Sequence, residues 1–284
     1  MTLRLSPLNN DDRVSSLKVS RMNGMLLGSL RALGLVITTL FLVACSQFVG
    51  DNRHNVPLGK SVLERLADIG SSPSEPMVIR VYKQSSELEV WKRTRTGDYA
   101  LLKSYPICKW SGDLGPKIRE GDLQSPEGFY DVTPALMNPK SSYWLSFNVG
   151  FPNKFDRAWG RTGTYLMIHG DCLSVGCYAM TDEGIKEIYA LARETFRGGN
   201  PSFQLQLLPF RMTEAKLAEH ADSPHAPFWH DLKVGTDLFD ATRRPPLWDV
   251  CERRYVFNRD GSSSGALDPN GACPTDVYYA PAAL

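Results

Sequence analysis

The sequence predicts a mainly β domain that carries one packed helix and continues into a helical C-terminal extension. Three observations lead there. Short runs of β-branched and aromatic residues, punctuated by turn signals, recur between Met77 and Leu208. Within that stretch one segment, Thr181 to Gly199, has sustained helical periodicity. After Pro209 the pattern changes to two shorter helical stretches and then to a tail rich in Pro, Gly and Ser. Strands far outnumber βαβ units, which argues against a Rossmann-type sheet.

Taken in order, residues 45–76 read as a tether and a short helix. Ser61 to Leu66 has helical spacing, and Gly70-Ser71-Ser72-Pro73 stops it. Strands follow. Val78, Ile79, Val81 and Tyr82 are β-formers, and Leu88 and Val90 alternate with Glu89 and Trp91. Thr96-Gly97-Asp98 is a hairpin turn before a run from Tyr99 to Ile107, and further strands are expected at Gly128–Val132, Tyr165–His169 and Phe203–Leu208. Thr181 is a good N-cap, Asp182 and Glu183 suit the positive helix end, and Gly198-Gly199 close the helix. Ile185, Ile188, Tyr189, Ala192 and Phe196 give it one buried face. Thr213–Ala221 and Phe228–Phe239 read as helices, and the tail from Arg243 as an extension without a core of its own.

The chain has 284 residues, 32 basic against 31 acidic, and a formal charge of +1. That balance excludes a globally basic nucleic-acid binder or an acidic solvating tail. Hydrophobic residues at 42% and charged residues at 22% are those of a packed domain, which excludes general disorder. The longest apolar run, Ala32 to Ala44, falls short of the roughly 18 residues of a spanning helix. It follows a stretch with Arg4, Arg13, Lys18, Arg21 and Arg31, the basic-then-apolar layout of a secretory signal. Leu42-Val43-Ala44-Cys45 resembles the bacterial lipobox, which implies a signal peptide over 1–44 and lipidation of Cys45. The expected location is the periplasmic side of a bacterial envelope, lipid-anchored to a membrane. Ser46 stands where an inner-membrane retention signal would carry Asp, which favours the outer membrane.

Export changes the cysteine arithmetic. Cys108, Cys172, Cys177, Cys251 and Cys273 remain, an odd number that implies one free thiol and up to two disulfides. A Cys251–Cys273 bridge would pin the tail, although four cysteines allow three connectivities.

The densest chemistry runs from Tyr165 to Met180. A β-run delivers His169 to its end, a loop with Gly and Ser follows, and Cys177 precedes a helix. A thiol near a helix N-terminus with an imidazole in reach is the recipe for a thiolate nucleophile. Gly176 permits a tight turn, so N–H groups from Gly176 to Tyr178 could face a developing oxyanion. A metal is not expected. His169, Asp171, Cys172 and Cys177 lack the usual ligand spacings, and His220, His225 and His230 recur every five residues, off any single helix face. Lys92, Arg93 and Arg95 read as a solvated hairpin tip.

Two motifs carry a family resemblance. Ile168-His169-Gly170 followed by Ser174-Val175-Gly176-Cys177 resembles the signature of the L,D-transpeptidase catalytic domain of the YkuD type. Gly121-Asp122 through Ser125-Pro126, Gly128 and Tyr130 is similar to that family's Gly-Asp-x-x-Thr-Pro-x-Gly segment. The resemblance covers roughly residues 77–209, and Phe151–His169 looks closest to the YafK-like branch, which includes an enzyme that detaches a lipoprotein from the cell wall. It implies a β-sandwich or barrel and no cofactor. It also implies Cys177 as nucleophile, His169 as its base, and the Gly170 carbonyl as the group that orients the imidazole. Ser174, Gly176 and Tyr178 would shape the oxyanion loop. The substrate would be a peptidoglycan stem peptide, attacked at the L-centre of a diamino acid to give a thioester. Water would resolve it by hydrolysis, detaching wall-linked lipoprotein; an amine would resolve it by cross-linking. A Cys108–Cys172 bridge fits this reading because a Cys172–Cys177 link would silence the enzyme or make it redox-switched.

The chain departs from the family at Val175, where most members have His, and at Ala179, where most have Arg. Losing that Arg removes a carboxylate donor, a role left to Arg157 or Arg161, and favours cutting over joining. Two rivals stand beside this reading. One is a non-catalytic cell-wall-binding lipoprotein. The other is a papain-like wall peptidase of the NlpC type, against which the order His169 before Cys177 argues.

Overall fold

The computed structural model describes residues 51–258, 266–275 and 277–278. The expected signal segment 1–44 and the lipidation site Cys45 lie outside the described residues. Helix α1 (Lys60–Asp68) buries Val62 and Leu66. Strands β1 (Met77–Tyr82), β2 (Glu87–Arg93), β3 (Tyr99–Pro106) and β4 (Gly128–Val132) follow. Then come β5 (Met137–Asn138), β6 (Ser146–Asn148), helix α2 (Lys154–Ala158), and strands β7 (Met167–His169) and β8 (Tyr178–Ala179). Helix α3 (Asp182–Arg197) leads to β9 (Phe203–Leu208), and α4 (Glu214–Glu219) and α5 (Ala226–Thr242) precede β10 (Trp248–Cys251), β11 (Arg254–Asn258) and β12 (Val277–Tyr278).

The main sheet has the order β3-β2-β1-β9-β4. Its pairs are antiparallel except β1 with β9, which run parallel because α3 carries the chain back. Alternation along each strand divides the side chains between two cores. Ile79, Val81, Tyr130, Val132, Phe203, Leu205 and Leu207 face a core shared with α1, α3 and a four-stranded sheet of order β5-β6-β7-β8. Tyr82, Phe129 and Leu208 face a second core built with Trp229 and Leu232 of α5 and with Val250, Tyr255 and Phe257.

That second core corrects the expectation of a coreless tail. Residues 248–258 form a hairpin that packs under the main sheet, and a Cys251–Cys273 disulfide ties the following segment to it. The face it covers carries Arg80, Gln204 and Gln206 among its apolar residues. All three are buried: Arg80 pairs with Asp240 at 2.7 Å, Gln204 donates to the Pro246 carbonyl at 2.8 Å, and Gln206 Nε2 donates to Gln204 Oε1 at 2.8 Å. The expected solvated basic tip is also corrected at one position. Lys92 points inward from β2 and is buried, donating to the Pro73 carbonyl and to Thr195 Oγ1 of α3. Burial lowers its pKa to about 7.

Candidate active site

The site lies where β7 and β8 run side by side. Their parallel register sets Ile168 against Tyr178 and His169 against Ala179. Ile168 and Tyr178 point into the first core, so His169 and Cys177 project from the opposite face of the sheet. Cys177 immediately precedes β8, and its thiol meets the backbone of Met167, two residues before His169 on the neighbouring strand. In the resting geometry Cys177 Sγ accepts from the Met167 N–H at 3.4 Å and donates to the Tyr165 carbonyl at 3.5 Å. Among the described residues no hydrogen bond joins it to His169, and catalytic pairs in ligand-free enzymes commonly close only on substrate.

His169 is buried, with its ring 4.8 Å from that of Tyr143. Its Nδ1 lies 2.6 Å from the Gly170 carbonyl. A carbonyl only accepts, so Nδ1 carries the proton and Nε2 keeps a free lone pair. Gly170 itself is held by bonds from its N–H to the Tyr143 and Leu145 carbonyls. A Cβ there would stand 2.5 Å from Asp182 Oδ1, so the position requires glycine. Asp182, in the first turn of α3, also accepts from the Asp171 N–H at 2.9 Å.

The loop between the two residues is braced on all sides. A Cys108–Cys172 disulfide crosses to the strand-end segment, leaving Cys177 as the free thiol among the described residues. Gly176 takes a φ of 92° that favours glycine. The N–H groups expected to serve an oxyanion are engaged at rest: that of Gly176 donates to Ser111 Oγ, and that of Cys177 to Ser174 Oγ at 3.0 Å. Ser174 and Ser125 hydroxyls both donate to the Cys177 carbonyl, at 2.6 and 2.9 Å. Tyr178 is a brace, its buried phenol donating to the Pro126 carbonyl at 2.6 Å. The second sequence motif therefore meets the first through Ser125 and Pro126.

The electrostatics differ from the sequence expectation. Cys177 is not at a helix N-terminus, because β8 and the cap Thr181 intervene before α3. Burial pushes its thiol pKa up, opposed by the Met167 N–H and by Lys117. Burial likewise pushes the His169 imidazole down, opposed by the Gly170 carbonyl and by Asp171. The resting pair is a neutral thiol beside a neutral imidazole, suited to general-base activation rather than a standing ion pair.

Lys117 has no sequence signal of its own, yet it is buried and paired with Asp122. Asp122 also accepts from the N–H groups of Ile118, Arg119 and Gln124, which explains the Gly-Asp motif as a loop clasp. Arg157 is exposed and donates to the Pro152 carbonyl. Arg161 is buried, pairs with Asp156 at 3.0 Å and is flanked by the rings of Phe155 and Phe228. Neither bonds to Cys177 or His169. Arg161 instead lines a separate cleft of about 720 Å³ that neither Cys177 nor His169 lines.

No family model matches the chain. It is 43% identical over 234 residues to the "Putative L,D-transpeptidase YafK" of Escherichia coli strain K12, an alignment spanning 81% of this chain and 92% of that one. The chain belongs to the L,D-transpeptidase family. Among solved structures this L,D-transpeptidase family member is similar to the helical cell shape determining protein Pgp2 of Campylobacter jejuni, with 20% identity and a TM-score of 0.39 over 63% of this chain and 65% of that one. It is also similar to L,D-transpeptidase 1 of Mycobacterium tuberculosis, with 10% identity and a TM-score of 0.24 over 47% and 62%. The L,D-transpeptidase chain thus spans under two thirds of each of these solved chains.

Proposed function

We propose that this protein is a cysteine acyltransferase of peptidoglycan stem peptides, with Cys177 as nucleophile and His169 as base. The observation that carries the reading is the 2.6 Å bond from His169 Nδ1 to the Gly170 carbonyl, which leaves Nε2 basic on the face it shares with Cys177 Sγ. Sγ attacks the carbonyl carbon at the L-centre of a diamino acid while its proton passes to Nε2. The tetrahedral oxyanion is met by loop N–H groups once Ser111 or Ser174 swings aside. Collapse breaks the amide bond, the imidazolium returns the proton to the departing amine, and a thioester remains on Cys177. Water then gives hydrolysis, and an amine gives a new amide.

We favour water as the acceptor and a wall-linked lipoprotein as the group released. Ala179 is fully buried against the main chain of Lys109 and offers no carboxylate donor, which removes one means of holding a second substrate. A lipid anchor on Cys45 would hold the enzyme at a membrane on the periplasmic side, by preference the outer one. Mass spectrometry of lipoprotein-loaded peptidoglycan after incubation tests the reaction. Released lipoprotein fragments, lost in Cys177→Ala, are the expected result, and new cross-linked muropeptides would make the enzyme a joining one. Unchanged wall composition with intact muropeptide binding would instead support a recognition module. The anchor is tested separately: fatty-acid labelling should disappear in Cys45→Ala.

A further inference from the structure

The cleft of about 720 Å³ has no part in the chemistry proposed for Cys177 and His169. It opens between α2, α5 and the β10–β11 turn, and its size suits a ligand of one or two rings. We propose that it binds an uncharged stretch of the glycan strand, a sugar-binding site distinct from the nucleophile; this rests on the peptidoglycan reading above.

One wall is a fixed aromatic platform. The Trp159 ring is 54% exposed, yet its Nε1–H donates to the Arg253 carbonyl at 2.8 Å. An indole anchored at its edge, tilted against Phe155 at 6.3 Å and about half exposed, is suited to stacking against the C–H face of a pyranose ring. The carbonyl that anchors it belongs to a turn in which Glu252 and Arg253 both take positive φ, 49° and 57°. Such a turn normally carries Asn or Gly, so the chain tolerates backbone strain where it presents this carbonyl.

The floor supplies hydrogen bonds without net charge. Arg161, with 7% of its side chain exposed, lies beside the rings of Phe155 and Phe228, which stack on each other at 5.3 Å. Its one side-chain hydrogen bond among the described residues, from Nη1 to Asp156 Oδ1 at 3.0 Å, leaves the rest of the donor fork for a ligand. Around the rim Arg254 pairs with Asp231, and Arg253 lies beside Glu252. Counting Asp156, three guanidinium groups are matched by three carboxylates, two of them in ion pairs. A cleft of no net sign suits hydroxyl and acetamido groups better than a stem peptide bearing several carboxylates.

The location fits as well. Arg161 and Tyr165 are four residues apart, at most about 14 Å even if extended, and the Tyr165 carbonyl is bonded to Cys177 Sγ. Ile118, on the rim of the cleft, accepts from the Thr162 N–H at 3.1 Å, and its neighbour Lys117 packs against Gly163. A sugar in the cleft and an amide at Cys177 are therefore separated by the length of a few peptide residues.

Calorimetric titration of the full-chain Cys177→Ala protein tests the assignment with two probes, a peptide-free disaccharide of N-acetylglucosamine and N-acetylmuramic acid whose lactyl carboxylate is capped as an amide, and a sugar-free stem tetrapeptide. The disaccharide should bind, and Trp159→Ala should weaken it about tenfold or more, as for a central aromatic contact. Trp159→Phe should restore most of the binding. An unchanged thermal midpoint in both variants separates lost stacking from lost folding; if Trp159→Ala lowers it, Arg161→Lys serves as the second variant and should also weaken the disaccharide. Absent disaccharide binding, binding indifferent to both variants, or a Trp159 dependence seen with the tetrapeptide alone would each overturn the proposal. None of these outcomes bears on whether Cys177 is the nucleophile, which the wall-digestion assay reads independently.

Discussion

Gly170 sits so close to Asp182 that a single added methyl group would lie 2.5 Å from the carboxylate Oδ1 and 3.0 Å from the Tyr143 carbonyl. The same glycine orients His169 through its carbonyl, and the same carboxylate holds Asp171. Gly170→Ala should therefore cost about 1–3 kcal/mol by overpacking and lower turnover by more than the lost stability explains. Thermal melts paired with kcat on purified wall check both parts; wild-type turnover in this variant would detach Gly170 from the orientation of His169.

The pH dependence follows from two opposite shifts. Burial lowers the His169 pKa, so the imidazole stays deprotonated and able to accept a proton to lower pH than a free one. The acid limb of kcat/KM should accordingly lie below the ordinary imidazole value of about 6.5. Burial raises the Cys177 pKa, so alkylation by iodoacetamide in the resting enzyme should increase only above the ordinary thiol range near about 8.5. Lys117→Met removes a cation that favours the thiolate and should move that alkylation curve further up. A resting thiolate already alkylated rapidly at pH 6 would contradict the neutral-pair description.

Lys83 and Glu127 form an ion pair at 3.0 Å with both side chains wholly buried. Glu127 also accepts from the N–H of Gly115 and from Trp229 Nε1, joining the site loop to α5. Removing one charge strands the other, so Glu127→Met should destabilise by about 3–5 kcal/mol. Adding Lys83→Met to it should recover much of that loss, because no uncompensated charge remains. Urea denaturation of the two single variants and the double variant measures the coupling.

The Cys108–Cys172 bridge closes the loop that carries Ser174 and Cys177 onto the segment that carries Ser111. Replacing both cysteines by Ser should cost roughly 2–4 kcal/mol, with turnover falling while Cys177 remains alkylatable. Mass mapping without reductant should find Cys108 linked to Cys172 and Cys177 free. A Cys172–Cys177 peptide in that map would mark a redox-switched enzyme instead.

The strands and helices of the first core were legible because their patterns are strong. Ile185 to Phe196 repeats at helical spacing, and β1 and β9 are bounded by clear turn signals. Strands β5, β6 and β8 were not, since two or three residues carry no period. Tyr165, expected to begin β7, takes a φ of 55° and leaves the strand to start at Met167.

The order of His169, Gly170, Ser174, Gly176 and Cys177 along the chain was enough, on sequence alone, to name the family and to nominate His169 and Cys177 for the proposed chemistry, because those residue types are adjacent and their spacing is local. Tertiary structure alone decided their protonation and their surroundings. Lys117, Ser111 and Ser125 reach the loop from 50 or more residues away in sequence, and no local pattern announces a contact made across such a distance. The same holds for the tail: it reads as an extension without a core of its own, yet Val250, Tyr255 and Phe257 pack with Tyr82, Phe129 and Leu208 of the main sheet. Local periodicity records which residues turn inward within one element, whereas burial and pKa depend on what another element brings to meet them.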